Sequence, residues 1–205
     1  MSIDIEQRLR SIGLCASREA LSALVAHATK SRMSPAQVVE KIVSLETCAR
    51  EVRNLASRTR AAMLGGMKPL DRVEWNFPRT VDRPRYEQLL TLEFMARGEN
   101  ALLRGPSGVG KTTLAQNLGL AAIARGYSVR FSSLAAIITD LVRRDSLPLL
   151  ERALRHRYLA PKLLIIDELG YLPCDRRAAD LLYNIVSRRH EDRSLVITTS
   201  LPFKL

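Results

Sequence analysis

The chain has 205 residues, 46% of them hydrophobic, which suffices for one domain, or a small module plus a domain, with a real core. No apolar run approaches the roughly 18 residues of a membrane helix, and the start, Met1-Ser2-Ile3-Asp4-Ile5-Glu6, lacks the apolar stretch of a secretory signal, so neither a membrane role nor secretion is expected. The formal net charge of +11 instead suggests an anionic macromolecular partner, most simply nucleic acid, although a merely solvated basic surface fits the charge equally well. Cys15, Cys48 and Cys174 form no C-x-x-C pair and no ligand cluster, which argues for a reduced, cytoplasmic setting and against a structural zinc site.

Residues 1–66 read as an all-helical module. Ile5, Leu9 and Ile12 share one face of a first segment that Gly13 ends. Ser17 is placed to cap a second helix with Leu21, Leu24, Val25 and Ala28 turned inward. Ser34-Pro35-Ala36-Gln37 is a start signal, with Ser as N-cap, Pro at the first helical position and Gln at N3 to close a capping box. Val38, Val39, Ile42, Val43, Leu45, Ala49, Val52 and Leu55 follow at helical spacing up to a stop at Gly65-Gly66, a run long enough to leave room for a bend. Arg50, Arg53, Arg58 and Arg60 lie toward its C-terminal end, where cations suit the helix dipole. A solvated face and a DNA-facing stripe both fit them.

Residues 67–100 form a connector and lead-in. Pro69 and the stretch Trp75-Asn76-Phe77-Pro78-Arg79 fix an irregular path. Asp82–Arg97 then has helical spacing, with Leu89, Leu90, Leu92, Phe94 and Met95 available to bury. Trp75 and Phe77 read as packing residues, with contact to a nucleotide base as the alternative.

From Ala101 to residue 205 strands alternate with helices, which implies an α/β fold with a parallel sheet. Strands are expected at Ala101–Leu103, Ser128–Ser132, Leu163–Ile166 and Leu195–Thr199. Helices are expected at Lys111–Arg125, Leu134–Arg144, Leu149–Leu159 and Arg176–His190, the last capped by Asp175.

The chemistry lies between these elements. Gly105-Pro106-Ser107-Gly108-Val109-Gly110-Lys111-Thr112 fits G-x-x-x-x-G-K-[ST], the phosphate-binding P-loop, and sits between a strand and a helix as that motif requires. Backbone N–H groups of such a turn, at the positive end of a helix, point at a polyphosphate. Lys111 can reach the β- and γ-phosphates, and the Thr112 hydroxyl can ligate Mg²⁺. Leu163-Leu164-Ile165-Ile166-Asp167-Glu168 is an apolar strand ending in two acids, a Walker B element in which Asp167 would hold Mg²⁺ and Glu168 would act on the attacking water. In Val196-Ile197-Thr198-Thr199-Ser200 one hydroxyl could orient that water or touch the γ-phosphate, or simply form a turn. The guanine-reading Asn-Lys-x-Asp pattern is absent, which favours ATP. His27, His156 and His190 are dispersed and read as non-catalytic. Arg143, Arg144, Arg152 and Arg155 make a second candidate nucleic-acid surface, with plain solvated charge as the alternative.

The segments GPSGVGKTTLA, LLIIDELGYLP and SLVITTSLPF, behind a helical N-terminal module, resemble the IstB/DnaC-like AAA+ ATPases, and within them the IstB branch of insertion-sequence helper proteins. The resemblance covers nearly the whole chain. It implies a P-loop NTPase of AAA+ type that binds ATP and Mg²⁺, oligomerises on DNA and acts with a cognate transposase. DnaC-like relatives imply a helicase loader in DNA replication instead, and a non-catalytic DNA-binding remnant is a third reading. By position, Gly105 to Thr112 would bind the phosphates with Thr113 in support, Asp167 would hold Mg²⁺, Glu168 would activate water and Ser200 would take the place of the first sensor, where the family more often has Asn. The resemblance also implies a sheet of order 5-1-4-3-2, followed by a lid bearing a second sensor and an arginine finger. The 205 residues reach only the fourth strand. The first strand is therefore expected at a sheet edge, and ATP binding is expected with weak hydrolysis unless a full-length partner completes the site.

Overall fold

The computed structural model describes residues 7–201, apart from 10, 67, 73–74, 76–80, 170–175 and 190–192. The expectations for Ile5, Phe77, Cys174, Asp175 and His190 lie outside the described residues. The chain divides into two units, Met1–Ser57 and Arg58–Leu205.

The smaller unit is helical. Residues 7–9 and 11 are followed by helix α1 (Arg18–Lys30) and by α2 (Pro35–Ala62), whose last turn belongs to the larger unit. The Ser17 hydroxyl accepts the Ala20 N–H at 3.2 Å and so caps α1. At the start of α2 the capping box closes in both directions: the Ser34 N–H donates to Gln37 Oε1 at 2.8 Å, and the Gln37 N–H donates to Ser34 Oγ at 3.3 Å. The loop between the first segment and α1 is held by Glu46 of α2, whose carboxylate accepts the N–H groups of Cys15 and Ala16 at 2.8 and 2.9 Å.

α2 is one continuous helix of 28 residues, and it ends at Met63, which takes a left-handed φ of 58°, two residues before the glycine pair expected to stop it. Its apolar pattern is also wider than the surface it covers. Val39, Val43, Val52 and Leu55 are exposed, Ile42, Leu45 and Ala49 are half-buried, and Leu21 is the single buried residue among those described in this unit. Helical spacing marks an apolar face, but helix–helix contact covers only a narrow seam of it.

The larger unit carries the sheet. Helices α3 (Arg83–Leu90) and α4 (Glu93–Ala96) lead into strand β1 (Ala101–Arg104), helix α5 (Lys111–Ala124) and strand β2 (Val129–Ser133). Helices α6 (Leu134–Val142) and α7 (Leu147–Ala153) follow, and α7 runs directly into a π-helical segment, Leu154–Leu159. Strand β3 (Leu163–Leu169), helix α8 (Arg176–Arg189) and strand β4 (Ser194–Thr199) complete it. The four strands are parallel, in the order β1-β4-β3-β2, so β1 lies at an edge of the described sheet.

Both faces of this sheet are covered, which is why β3 reads as an unbroken apolar run: Leu163 to Ile166 are completely buried. Ile165 and Val196 pack with Ala115, Leu118 and Ile123 of α5 on one face. Leu164, Ile166 and Leu195 pack with Ile137 and Leu141 of α6, Tyr158 and Ile185 on the other. The alternation follows from the two-residue period of a strand.

The lead-in is not the single helix that its spacing suggests. Leu92, between α3 and α4, has a φ of 62° and is 2% exposed. On a straight helix Leu92 and Phe94 would project about 200° apart. The break lets Leu92, Phe94 and Met95 enter one core. Trp75 packs against Tyr86, ring centroids 5.7 Å apart, with the Arg83 guanidinium over its ring. Among the described residues no helix is long and apolar enough to cross a membrane.

Candidate nucleotide site

Three chain segments meet at the carboxyl ends of β1, β3 and β4, where ligands sit in open α/β sheets. The P-loop turns from β1 into α5, and Gly110 is the N-cap with a φ of 85° and no side-chain cap. Gly108 also has a positive φ, 80°. A side chain at either would strain a turn that leaves the first N–H groups of α5 open to an anion. Lys111 bends back over the loop and its Nζ donates to the carbonyls of Gly105 and Pro106 at 2.8 and 2.7 Å. Ser107, Gly108, Gly110, Lys111 and Thr112 line a cavity of about 270 Å³ with Glu168, Thr198, Thr199 and Ser200.

The acidic side of this cavity depends on an irregularity in β3. Ile166 pairs with Ile197 and Leu169 with Thr199, so β3 carries one residue more than β4 between these pairs, a β-bulge. Within it Glu168 has a φ of 61° and is exposed toward the cavity it lines, whereas Asp167 is 5% exposed. The Thr112 hydroxyl reaches both Asp167 carboxylate oxygens, at 2.9 and 3.1 Å. The Thr198 hydroxyl donates to Asp167 Oδ1 and accepts the Glu168 N–H at 3.0 Å. Carboxylate and hydroxyl oxygens are hard donors of the kind Mg²⁺ takes beside a phosphate. A nearly buried carboxylate facing the P-loop hydroxyl therefore fits that ion.

The sequence family described as IstB-like ATP binding protein matches residues 7–205. The chain belongs to this family. A Geobacillus stearothermophilus protein named as an ATP-binding protein of insertion sequence IS5376 is 34% identical over 90% of this chain and 73% of its own length. A Pseudomonas aeruginosa counterpart named for insertion sequence IS21 is also 34% identical, over 89% of this chain and 69% of its own. Among solved structures, DnaI superimposes with a TM-score of 0.55 at 20% identity, over 68% of this chain and 74% of that one. The replication initiator DnaA bound to AMPPCP and single-stranded DNA gives 0.52 at 21%, over 60% of this chain and 39% of that one. These likenesses show the fold, a P-loop sheet of AAA+ type with helices on both faces, behind a helical N-terminal region.

In this IstB-like chain the expected site residues fall in two groups. Ser107, Gly108, Gly110, Lys111, Thr112, Glu168 and Ser200 line the cavity, and Asp167 is bonded to the Thr112 hydroxyl at its edge. Gly105, Pro106 and Val109 line a neighbouring cleft with Tyr86 and Leu114, and Thr113 lines neither, its carbonyl accepting from Asn117 at 2.9 Å. Thr198 is one of the strand-end hydroxyls that the sequence offered without assigning it a role of its own. Its signal was a polar side chain facing inward on an otherwise buried apolar strand, where it is 1% exposed.

The basic residues of the family member are less uniform than their sequence suggests. Arg50 is paired with Glu46 and also donates to the Gly13 carbonyl, and Arg53 donates to the Cys15 sulfur. Arg58 is half-buried and Arg60 exposed, both in the other unit. Of the second group, Arg144 and Arg152 line a cavity of about 430 Å³ with His156 and Arg157, while Arg143 and Arg155 do not line it. Asp140 anchors that cavity. It accepts from Arg144, from Arg157 at 2.9 Å and from the Tyr158 hydroxyl at 2.9 Å. Burial pushes the Asp140 carboxyl up, but the bonds from Arg144 and Tyr158 and the two guanidinium charges outweigh it, leaving the group below its ordinary range. Tyr158, buried and bonded to that carboxylate, is pushed up to about 12.

Proposed function

We propose that this chain is the ATP-binding helper of an insertion sequence: a cytoplasmic, Mg²⁺-dependent P-loop ATPase that assembles on double-stranded DNA and acts there with its transposase. One observation carries the reading. The P-loop residues, Lys111, Thr112 with Asp167 bonded to it, and Glu168 gather at one cavity at the end of a parallel sheet. Family membership supports the insertion-sequence context over helicase loading.

Each part has a chemical role in this reading. The open N–H groups of α5 and the Lys111 ammonium hold the phosphates. Thr112 and Asp167 would hold Mg²⁺, which when bound would neutralise charge on the phosphate oxygens. Glu168 accepts a proton from the attacking water, and Ser200 lies on the same wall to orient it. The basic cavity lined by Arg152 and Arg157 contacts phosphates of the duplex.

The test is a duplex-DNA binding titration with Mg²⁺ and ATP, ADP or no nucleotide, paired with a pull-down against the element's transposase. ATP-dependent binding and transposase capture are expected. Binding that ignores nucleotide, or capture of a replicative helicase in place of the transposase, would sink the assignment.

A further inference from the structure

We propose that Thr198 is the positioning residue of the site, setting Asp167 toward the metal and Glu168 toward the water through a single hydroxyl. The proposal rests on the Mg²⁺-ATP reading above and adds a residue that the motifs do not contain.

The bulge creates the need. One extra residue in β3 between the Ile166–Ile197 and Leu169–Thr199 pairs interrupts the ladder and leaves the Glu168 N–H without a place in it. Glu168 also takes a left-handed φ of 61°, a conformation that persists in a non-glycine residue only where its surroundings hold it. Thr198 meets both demands. Its hydroxyl oxygen accepts the Glu168 N–H at 3.0 Å while its hydrogen is donated to Asp167 Oδ1. The side chain is 1% exposed, so neither bond is shared with bulk water. Thr199 pins the next residue in the same way, its hydroxyl donating to the Leu169 carbonyl at 2.7 Å and accepting the Leu201 N–H at 3.1 Å.

The two hydroxyls on Asp167 therefore differ in kind. Thr112 sits at the start of α5, on the phosphate side of the carboxylate. Thr198 comes from β4, the strand beside β3, and also lines the cavity. A hydroxyl anchored in the neighbouring strand fixes which way the carboxylate faces, whereas Thr112 belongs to the loop that meets the phosphates. Because the same oxygen holds the Glu168 backbone, metal ligand and base are oriented as one piece. Valine matches threonine in shape and can make neither bond.

The experiment uses the full 205-residue chain and a fluorescent ATP, mant-ATP, titrated in excess EDTA and in MgCl₂. The readout is the ratio of the two affinities, for wild type, Thr198→Val, Thr198→Ser and Thr198→Ala. Thr198→Val is expected to lower the Mg²⁺-dependent gain about 10-fold, the size that loss of one hydrogen bond to a charged group produces. Thr198→Ser, which keeps the hydroxyl, is expected to restore it. Thr198→Ala decides the question if the valine variant does not fold. An unchanged ratio in the valine or alanine variant, or a serine variant as impaired as valine, would overturn the proposal. A wild-type chain that binds mant-ATP in neither buffer would overturn the nucleotide reading itself, and this proposal with it.

Discussion

Lys111 ties the loop to itself. Its ammonium satisfies two carbonyls of the loop it belongs to, so the cation is positioned over the turn rather than free in solvent. Phosphate oxygens are stronger acceptors than carbonyls for such a donor. Lys111→Ala is expected to weaken mant-ATP binding about 10- to 100-fold, the range for lost hydrogen bonds to charged groups, measured by titration in Mg²⁺. Glu168 should behave differently, because it lines the cavity wall without bonding the P-loop. Glu168→Gln is expected to keep nucleotide binding and to slow single-turnover hydrolysis on duplex DNA by roughly 10²- to 10⁴-fold, the usual share of a general base. An equal loss of binding in this variant would show that Glu168 serves the phosphates and not the water.

At the scale of elements, the region around the π-helical segment is held by polar groups as much as by packing. Arg189, at the end of α8, is fully buried and donates to the carbonyls of Tyr158, Pro161 and Ser194 at 2.7, 3.0 and 2.7 Å. It thereby joins the end of the π segment to the start of β4. Burial pushes its guanidinium down to about 10, with the nearby Arg193 charge adding to the shift, so it stays charged at neutral pH. Arg189→Leu leaves those carbonyls without a donor, and unfolding in urea should show a loss of about 3 kcal/mol or more, since each abandoned buried acceptor costs about 1–3. Asp140 adds a pH dependence. Its folded value lies below the ordinary 3.8, so the contribution of its bonds is complete above the usual carboxylate range and is lost as pH falls through the lowered value. Between about pH 5 and about pH 3 the wild type is expected to lose more stability than Asp140→Asn, read from urea midpoints at each pH.

At the scale of the whole molecule the excess of 32 basic over 21 acidic residues fits a chain that meets a polyanion. Arg50, Arg144, Arg157 and Arg188 are paired with Glu46, Asp140 and Glu151. Arg152 lines the basic cavity with no ion pair among the described residues. Arg152→Ala is therefore expected to lower the salt slope of duplex binding by about 0.9, the value of one phosphate contact, without changing nucleotide affinity. No change in slope would remove this cavity from the DNA surface.

The sheet, the P-loop and the Walker B acids were legible because they are local and periodic. An unbroken apolar run means a strand covered on both faces, and G-x-x-x-x-G-K-[ST] needs only its flanking strand and helix. The capping box at Ser34 and Gln37 was legible for the same reason, since both partners lie within one turn. What the sequence could not decide were the distances between elements. The bulge at Glu168, the break at Leu92, the exposed valines of α2 and the bonds of Thr198 each depend on what a neighbouring element leaves room for. Sequence alone determined that this chain has a P-loop pattern and two acids at the end of an apolar strand. Only the tertiary structure decided how they are aimed, because a one-residue mismatch between β3 and β4 is a property of the pair and is written in neither strand.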